Sequence, residues 1–352
     1  MKTFTFRRKS PGRHSDGAPY VAVTIKDVAR EAKVSVASVS RALNGHGGVT
    51  ADTLERIREV AARLRYVPHG AARSLITRRT HTVGALLPDL YGEFFSELIR
   101  GIDLAARAQG LHLLVSSSHD DADEAAAALR AMQGRVDGLL VMSPHADAAF
   151  LRHNLPPGLP TVLMNTVVDG DHYPALSVDN HGGARLLMTH LLDAGHQRIA
   201  FIQGPPKNRD VAEREATYRQ MLAERAPGQS PIVLPGDFNE ESGYRAGQQL
   251  LAMQPRPEAV FAANDMMAIG CMAAFRDAGL RMPEDIAIAG FDDVPMARYV
   301  TPALTTVRVR IADLGRDALN ELAAHIVDTE RPAQTGRRVD AELVVRESSS
   351  KV

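Results

Sequence analysis

Between Thr24 and Tyr66 the apolar positions recur at the three- and four-residue spacing of short amphipathic helices. The spacing predicts a first helix over about Ile25–Ala32, opened by Thr24 as N-cap with Asp27 three residues on. A second spans about Val36–Leu43 behind Ser35. A third runs from about Ala51 to Leu64 after Thr50, with Leu54, Ile57, Ala61 and Leu64 on one face. Tyr66–Thr80 (YVPHGAARSLITRRT) reads as a linker holding one short helix. From His81 the rhythm changes. Short apolar runs such as TVGALLPD, VDGLLVMS, RIAFIQG and DIAIAGFDD alternate with helical patterns, which is the signature of parallel sheets covered by helices. Two such series predict two similar lobes. Several strands end in a polar or aromatic residue: Asp89, Asn165, Phe238, Asn264–Asp265 and Asp292. Open parallel sheets bind ligands beyond the carboxyl ends of their strands, so these positions point to one crevice between the lobes.

Composition narrows the classes. The 352 residues suit two or three domains, and 45% are hydrophobic. No apolar run is long enough for a membrane span, and MKTFTFRRKSPGRHSDGAPY lacks the apolar centre of a secretory signal. Residues 1–22, rich in Gly, Pro, Ser and Arg, are expected to be a disordered extension. The lone Cys271 excludes a disulfide framework and fits a reducing cytoplasm, and no Cys/His spacing suits zinc. Charge is unevenly spread: residues 1–80 carry 16 Lys/Arg against 6 Asp/Glu, residues 81–352 carry 25 against 36. A basic head on an acidic body is expected of a nucleic-acid-binding module joined to a different domain.

The head's first two helices, joined by a turn at Lys33–Ser35, form a helix-turn-helix pattern. Its second helix can enter the major groove with Val36, Ala37, Ser38 and Arg41 outward. Arg41 suits a bidentate bond to guanine, and Val36 and Ala37 offer methyl surface to thymine. Ser35, Asn44 and Thr50 suit phosphates. The pattern TIKDVAREAKVSVASVSRALNG, followed by VTADTLERIREVAARLRYVPHGAARSL, resembles the DNA-binding head of the LacI/GalR family of bacterial repressors. The likeness continues through VGALLPDLYGEFFSELIRGID, GHQRIAFIQGP, FAANDMMAIG and GFDDVPMARYVTPALTTV, and covers residues 24 to about 346.

The resemblance implies an all-α helix-turn-helix head with a hinge helix, joined to a two-lobed α/β core of two doubly wound parallel sheets like periplasmic sugar-binding proteins. The expected divisions are a head at 23–66, a hinge at 67–80, a first lobe at 81–178 with 308–336, and a second at 179–307 with 337–348. Thr24, Ser35, Val36, Ala37, Ser38, Arg41, Asn44 and Thr50 match DNA-contact positions. In PHGAARSL, a segment too short to be helical alone in water, Leu75 flanked by Arg73 matches a minor-groove wedge. In the core, Arg214 matches an arginine that anchors ligand hydroxyls or carboxylates, and Phe238 an aromatic that stacks on the ligand. Asn264, Asp265 and Asp292 match strand-end polar groups, and Asn165, Tyr91, Phe94 and Phe95 close the site from the first lobe. Structural roles compete with these. Asp292 and Asn264 suit helix N-caps, one of Phe94 and Phe95 suits the core, and Arg214 could pair with Glu213 and Glu215 at the surface.

LYGEFF replaces a more usual Asn-Pro before the paired aromatics, and Glu215 and Thr217 stand at positions more often apolar or Gly. Asn208 and Asp210 occupy base-reading positions of the purine-binding member, which points away from purine and toward a sugar or glycoside. An enzyme is disfavoured: GHGG follows a helix rather than a strand, and no Gly-x-Ser-x-Gly or His-Glu-x-x-His occurs. A periplasmic binding protein would need an export signal and has no use for the head. The expectation is a cytoplasmic homodimeric repressor. Its partners are a pseudo-palindromic operator DNA and a small-molecule effector, with no cofactor, metal or membrane. The tail, ELVVRESSSKV, has no leucine heptads for a coiled-coil tetramer.

Overall fold

The computed structural model describes residues 23–43, 48–66, 79–144, 146–166, 173–206, 208–334 and 336–350. The chain divides into two compact units between residues 78 and 79. Asn44, Arg73, Leu75 and the hinge segment lie outside the described residues.

The small unit holds α1 (Ile25–Glu31), α2 (Val36–Leu43) and α3 (Ala51–Arg63). Asp27 opens α1 by accepting from the Thr24 backbone N–H at 2.9 Å and its hydroxyl at 2.7 Å. Those bonds, the hydroxyl's first, hold the Asp27 carboxyl below its usual range. The chain turns at Lys33, in the left-handed region with φ 52°. Ser35 Oγ then caps α2 by accepting from the Ser38 N–H at 3.1 Å. Val28, Ala29, Val39, Ala42, Ile57, Val60 and Ala61 form the core of this bundle. Arg56 on α3 donates to the Ala32 carbonyl at 3.1 Å, tying α3 to the end of α1.

The large unit contains two six-stranded sheets. In chain order the first lobe supplies β1 (Thr82–Leu87), α4 (Glu93–Ala108), β2 (His112–Ser117), α5 (Ala122–Met132), β3 (Gly138–Val141), α6 (Ala148–Asn154), β4 (Thr161–Met164) and β5 (Ala175–Val178). The second lobe supplies α7 (Asn180–Asp193), β6 (Ile199–Ile202), α8 (Arg209–Arg225), β7 (Ile232–Leu234), α9 (Glu240–Ala252), β8 (Ala259–Ala262), α10 (Asp265–Asp277), β9 (Ala287–Asp292), a 3-10 turn (Pro295–Arg298) and β10 (Thr305–Arg308). Last come α11 (Ile311–Val327), β11 (Arg337–Val339) and β12 (Glu342–Val344). Sheet orders are β11-β5-β4-β3-β1-β2 and β12-β10-β9-β8-β6-β7. All neighbours run parallel except β10 and β12. The central strands are buried throughout, as their unbroken apolar runs require once helices cover both faces. Among the described residues no helix is long and apolar enough to cross a membrane.

The chain passes between lobes three times, at Asp179, at Val309–Arg310 and at Asp340–Ala341. Two of these crossings depart from the sequence expectation. Residues 337–339 fall in the second lobe by the expected divisions, but β11 pairs with β5 of the first, Arg337 opposite Leu176 and Val339 opposite Val178. Arg308, assigned to the first lobe, ends β10 beside Asp292 in the second sheet.

Helices α9 and α10 cross with their backbones nearly touching. A Cβ at Gly243 would overlap the Met267 carbonyl, and one at Gly270 the Glu240 carbonyl. This crossing fixes the positions of Phe238 and Asn264, which precede the two helices. Gly270→Val should therefore cost about 1–3 kcal/mol of core stability through overpacking. Thermal unfolding of the variant should show a fall of several degrees, and an unchanged midpoint would contradict the close crossing.

Candidate effector cleft and nucleic-acid interface

The strands of both sheets point their carboxyl ends at one cleft of about 260 Å³. That is near the lower end of the ~300–1,000 Å³ range of small-molecule sites. Asp89, Tyr91, Phe94, Phe95, Asn165, Arg214, Phe238, Asn264 and Asp292 all line it. Three of them hold left-handed backbone: Asn165 at φ 47°, Phe238 at 70° and Asp292 at 115°. Non-glycine residues rarely take such angles, and they concentrate where a side chain must be aimed.

Arg214 anchors the inner wall. Gly183 on α7 leaves room for the Phe291 ring, which a Cβ there would meet at 2.8 Å. The Arg214 guanidinium lies over that ring, 3.6 Å from its centroid. Its Nε donates to Asn180 Oδ1 at 2.8 Å and its Nη1 to the Ala263 carbonyl at 2.5 Å. It is 4% exposed, so it is no surface ion-pair residue. Glu213 pairs instead with Arg209 and Glu215 with Arg219.

Asp292 stands 3.8 Å from Arg214 Nη1 through an Oδ1 that is buried without a hydrogen-bond partner. Burial pushes its carboxyl up to about 7, against the pull of Arg214 and with a further push from Asp210. Asp210 accepts from Asn180 Nδ2 at 2.9 Å. Burial raises its carboxyl too, despite Arg214. Asn180 thus joins the guanidinium to one of two flanking carboxylates. It does not line the cleft; it holds in place two residues that do.

The remaining expected residues divide. Asn264 lines the cleft while capping α10: its Oδ1 accepts from the Met267 N–H at 3.0 Å and its Nδ2 donates to the Phe238 carbonyl at 2.9 Å. Asp265 is not in the cleft. It is fully buried, accepting from the Val294 N–H at 2.9 Å and the Thr306 hydroxyl at 2.5 Å, so it pins β10 and the 3-10 turn to α10. Burial, then neighbouring Asp292, holds its carboxyl well above the usual range. Phe94 and Phe95 both border the cleft and both pack on the core, edge to face at 5.4 Å between centroids. Tyr91, 61% exposed, reaches Glu240 of the second lobe at 3.4 Å. Glu93 accepts from the Met296 N–H at 2.8 Å, a second bond between lobes.

Ser143, Thr166, Asp120, Asp147 and Asp237, none of them among the residues expected from the sequence, also line the cleft. Most follow a strand, the same positional signal that marked Asp89 and Asn165. Asp147 instead caps α6, accepting from the Phe150 N–H at 2.7 Å. Asn208 and Asp210 line the cleft as well. Among the described residues no group of His, Cys, Asp and Glu is arranged to hold a metal ion.

In the small unit Thr24, Ser35, Val36, Ala37, Arg41 and Thr50 are exposed and Ser38 is half-buried. The outward face of α2 therefore presents two small apolar side chains and a guanidinium beside serine hydroxyls. Part of the hydroxyl set is already engaged: Thr24 with Asp27, Ser35 with Ser38 at 3.0 Å, and Thr50 with Thr53 at 2.9 Å.

Comparison with known proteins matches both units. Residues 24–69 match the family described as bacterial regulatory proteins, lacI family, and residues 188–349 the periplasmic binding protein-like domain. The transcriptional repressor PurR of Erwinia tasmaniensis is 37% identical over 316 residues, 89% of this chain and 93% of that protein. The crystal structure of the lac repressor dimer bound to operator and the anti-inducer ONPF superposes with a TM-score of 0.82 at 27% identity, covering 93% of this chain and 99% of that one. A complex of the transcriptional regulator CelR with cellobiose gives 0.67 at 29% identity, covering 93% and 99%. Matched in its head, its core and nearly its whole length, the chain belongs to the LacI family of bacterial regulatory proteins.

Proposed function

We propose that this LacI-family regulator is a cytoplasmic repressor, binding a pseudo-palindromic operator as a homodimer and releasing or gripping it in response to a sugar or glycoside. The observation that carries the effector half is a cleft at the carboxyl ends of both sheets that sets Asp292 and Arg214 beside aromatic rings. Carboxyl and guanidinium groups on its wall offer acceptors and donors to ligand hydroxyls. Aromatic faces suit the apolar side of a sugar ring. The cellobiose complex of a relative favours the same class. For the DNA half, the exposed face of α2 offers what base edges and phosphates require: Arg41 for guanine, Val36 and Ala37 for thymine methyls, and Ser35 and Thr50 for backbone oxygens. In this reading Arg73 and Leu75 engage the minor groove beside it, and Asn44 a phosphate. The role is binding, not catalysis, in keeping with the regulators the chain resembles.

A gel shift with the DNA upstream of the protein's own gene tests this. At low salt the full chain should retard the fragment, and the affinity should fall steeply as salt rises. An active saccharide should change that affinity at least tenfold, and by linkage the operator should change saccharide affinity by the same factor. No retardation with or without saccharides would overturn the reading.

A further inference from the structure

We propose that the natural effector carries a protonated amine beside its hydroxyls, so that the cleft selects an amino sugar or similar cationic polyol over neutral and anionic ones. The inference rests on the cleft being the effector site. Seven Asp and Glu side chains line it among the described residues, one of them, Asp237, paired with Arg245 at 3.6 Å, against the guanidiniums of Arg209 and Arg214. Both guanidiniums already have protein partners. Arg209 is paired with Glu213 at 3.2 Å, and Arg214 with Asn180, the Ala263 carbonyl and Asp292. A phosphorylated or carboxylated ligand would thus enter a field of its own sign with no uncommitted guanidinium to meet it.

The inner wall makes the same point at shorter range. The Asp292 side chain is 7% exposed, and its Oδ1 has no donor. Asp210 borders the same cleft within reach of the Arg214 charge, with one bond from Asn180. One guanidinium thus acts on two carboxyls, and burial holds each of them toward its neutral form until a further cation arrives. A neutral hydroxyl can donate one bond to Asp292 but does nothing to favour its ionised form. An ammonium group donates and also neutralises. The rings of Phe94, Phe95 and Phe238 along the cleft give a cation favourable faces as well.

The test uses the full chain and isothermal titration with matched sugars: glucose with glucosamine and N-acetylglucosamine, galactose with galactosamine and N-acetylgalactosamine, and glucose 6-phosphate. At least one amine should bind tenfold or more tightly than both its neutral and its N-acetylated counterpart, and the advantage should shrink with salt. Binding should release protons below pH about 7, read as a heat that depends on the buffer's ionisation enthalpy, because the cation favours ionised Asp292. Asp210→Asn should reduce the amine's advantage severalfold, by removing one of the two carboxyls and easing the ionisation of Asp292. Neutral sugars binding as tightly as their amines would overturn this inference and leave the sugar reading standing. Tight binding of the phosphate would overturn it too. Binding by no member of the panel would bring down both.

Discussion

Arg41→Ala should weaken operator binding by at least about 30-fold. A bidentate arginine–guanine pair contributes ~1–3 kcal/mol, and a two-fold operator meets two copies, for roughly 2–6 kcal/mol in all. The side chain projects from the exposed face of α2, whose inner face is held by Val39 and Ala42 in the bundle core. Its loss should therefore leave the head folded. Fluorescence anisotropy with a labelled operator at fixed salt reads the change. Effector affinity, measured on the same protein, should not move. The variant should also lose discrimination at the base pair it reads, while the salt slope stays nearly constant. An undiminished operator affinity would place base reading elsewhere on the head.

Asp292→Asn should cost effector binding about 2–3 kcal/mol, or roughly 30- to 150-fold, because it removes one charge from a buried polar cluster that the ligand completes. The same change should help the empty core at alkaline pH. Asp292 takes up its proton at about 7 in the fold, well above an unfolded aspartate. A raised folded pKa means that the bound proton stabilises the fold. That contribution is whole below about pH 4 and is lost as pH climbs to about 7. Asp265 and Asp210 are raised by burial too and act with the same sign. Urea unfolding of wild type and variant at pH 5 and pH 8 should therefore show the variant gaining relative stability at the higher pH while binding worse at both. Equal pH dependence of the two proteins would remove the electrostatic account of the cleft.

The lobes and the head were readable because their signals are local. Caps at Thr24 and Ser35 and the switch in period at His81 lie within a few residues of what they specify. What stayed hidden depends on contacts from far along the chain. β11 and β12 are three-residue strands two residues apart, and nothing in RRVDAELV says which sheet each joins; that is settled by β5 and β10. Asn264 and Asp265 are polar neighbours of nearly the same shape, yet the first turns to the cleft and the second inward to Thr306, 41 residues on. Arg214, between two glutamates, looks like a surface residue until Gly183 and Phe291 are known to make a floor for it. Asn180 escaped notice because its partners lie 30 and 34 residues away.

The three passages of the chain between lobes bear on how the molecule is made. β1 to β5 have left the ribosome soon after residue 178, but α11, whose Leu322 and Ile326 cover β3 at Gly138, follows more than 130 residues later. At ~5–20 residues per second this delay lasts roughly 7–27 s. Through that interval the first sheet lacks part of the cover on one apolar side, where only the Glu93–Ala108 helix is yet in place, while the intervening second sheet is being synthesised. The half-built protein is thus a natural client for a chaperone at the tunnel exit, and translation rate over α8 to β10 sets how long that exposure lasts.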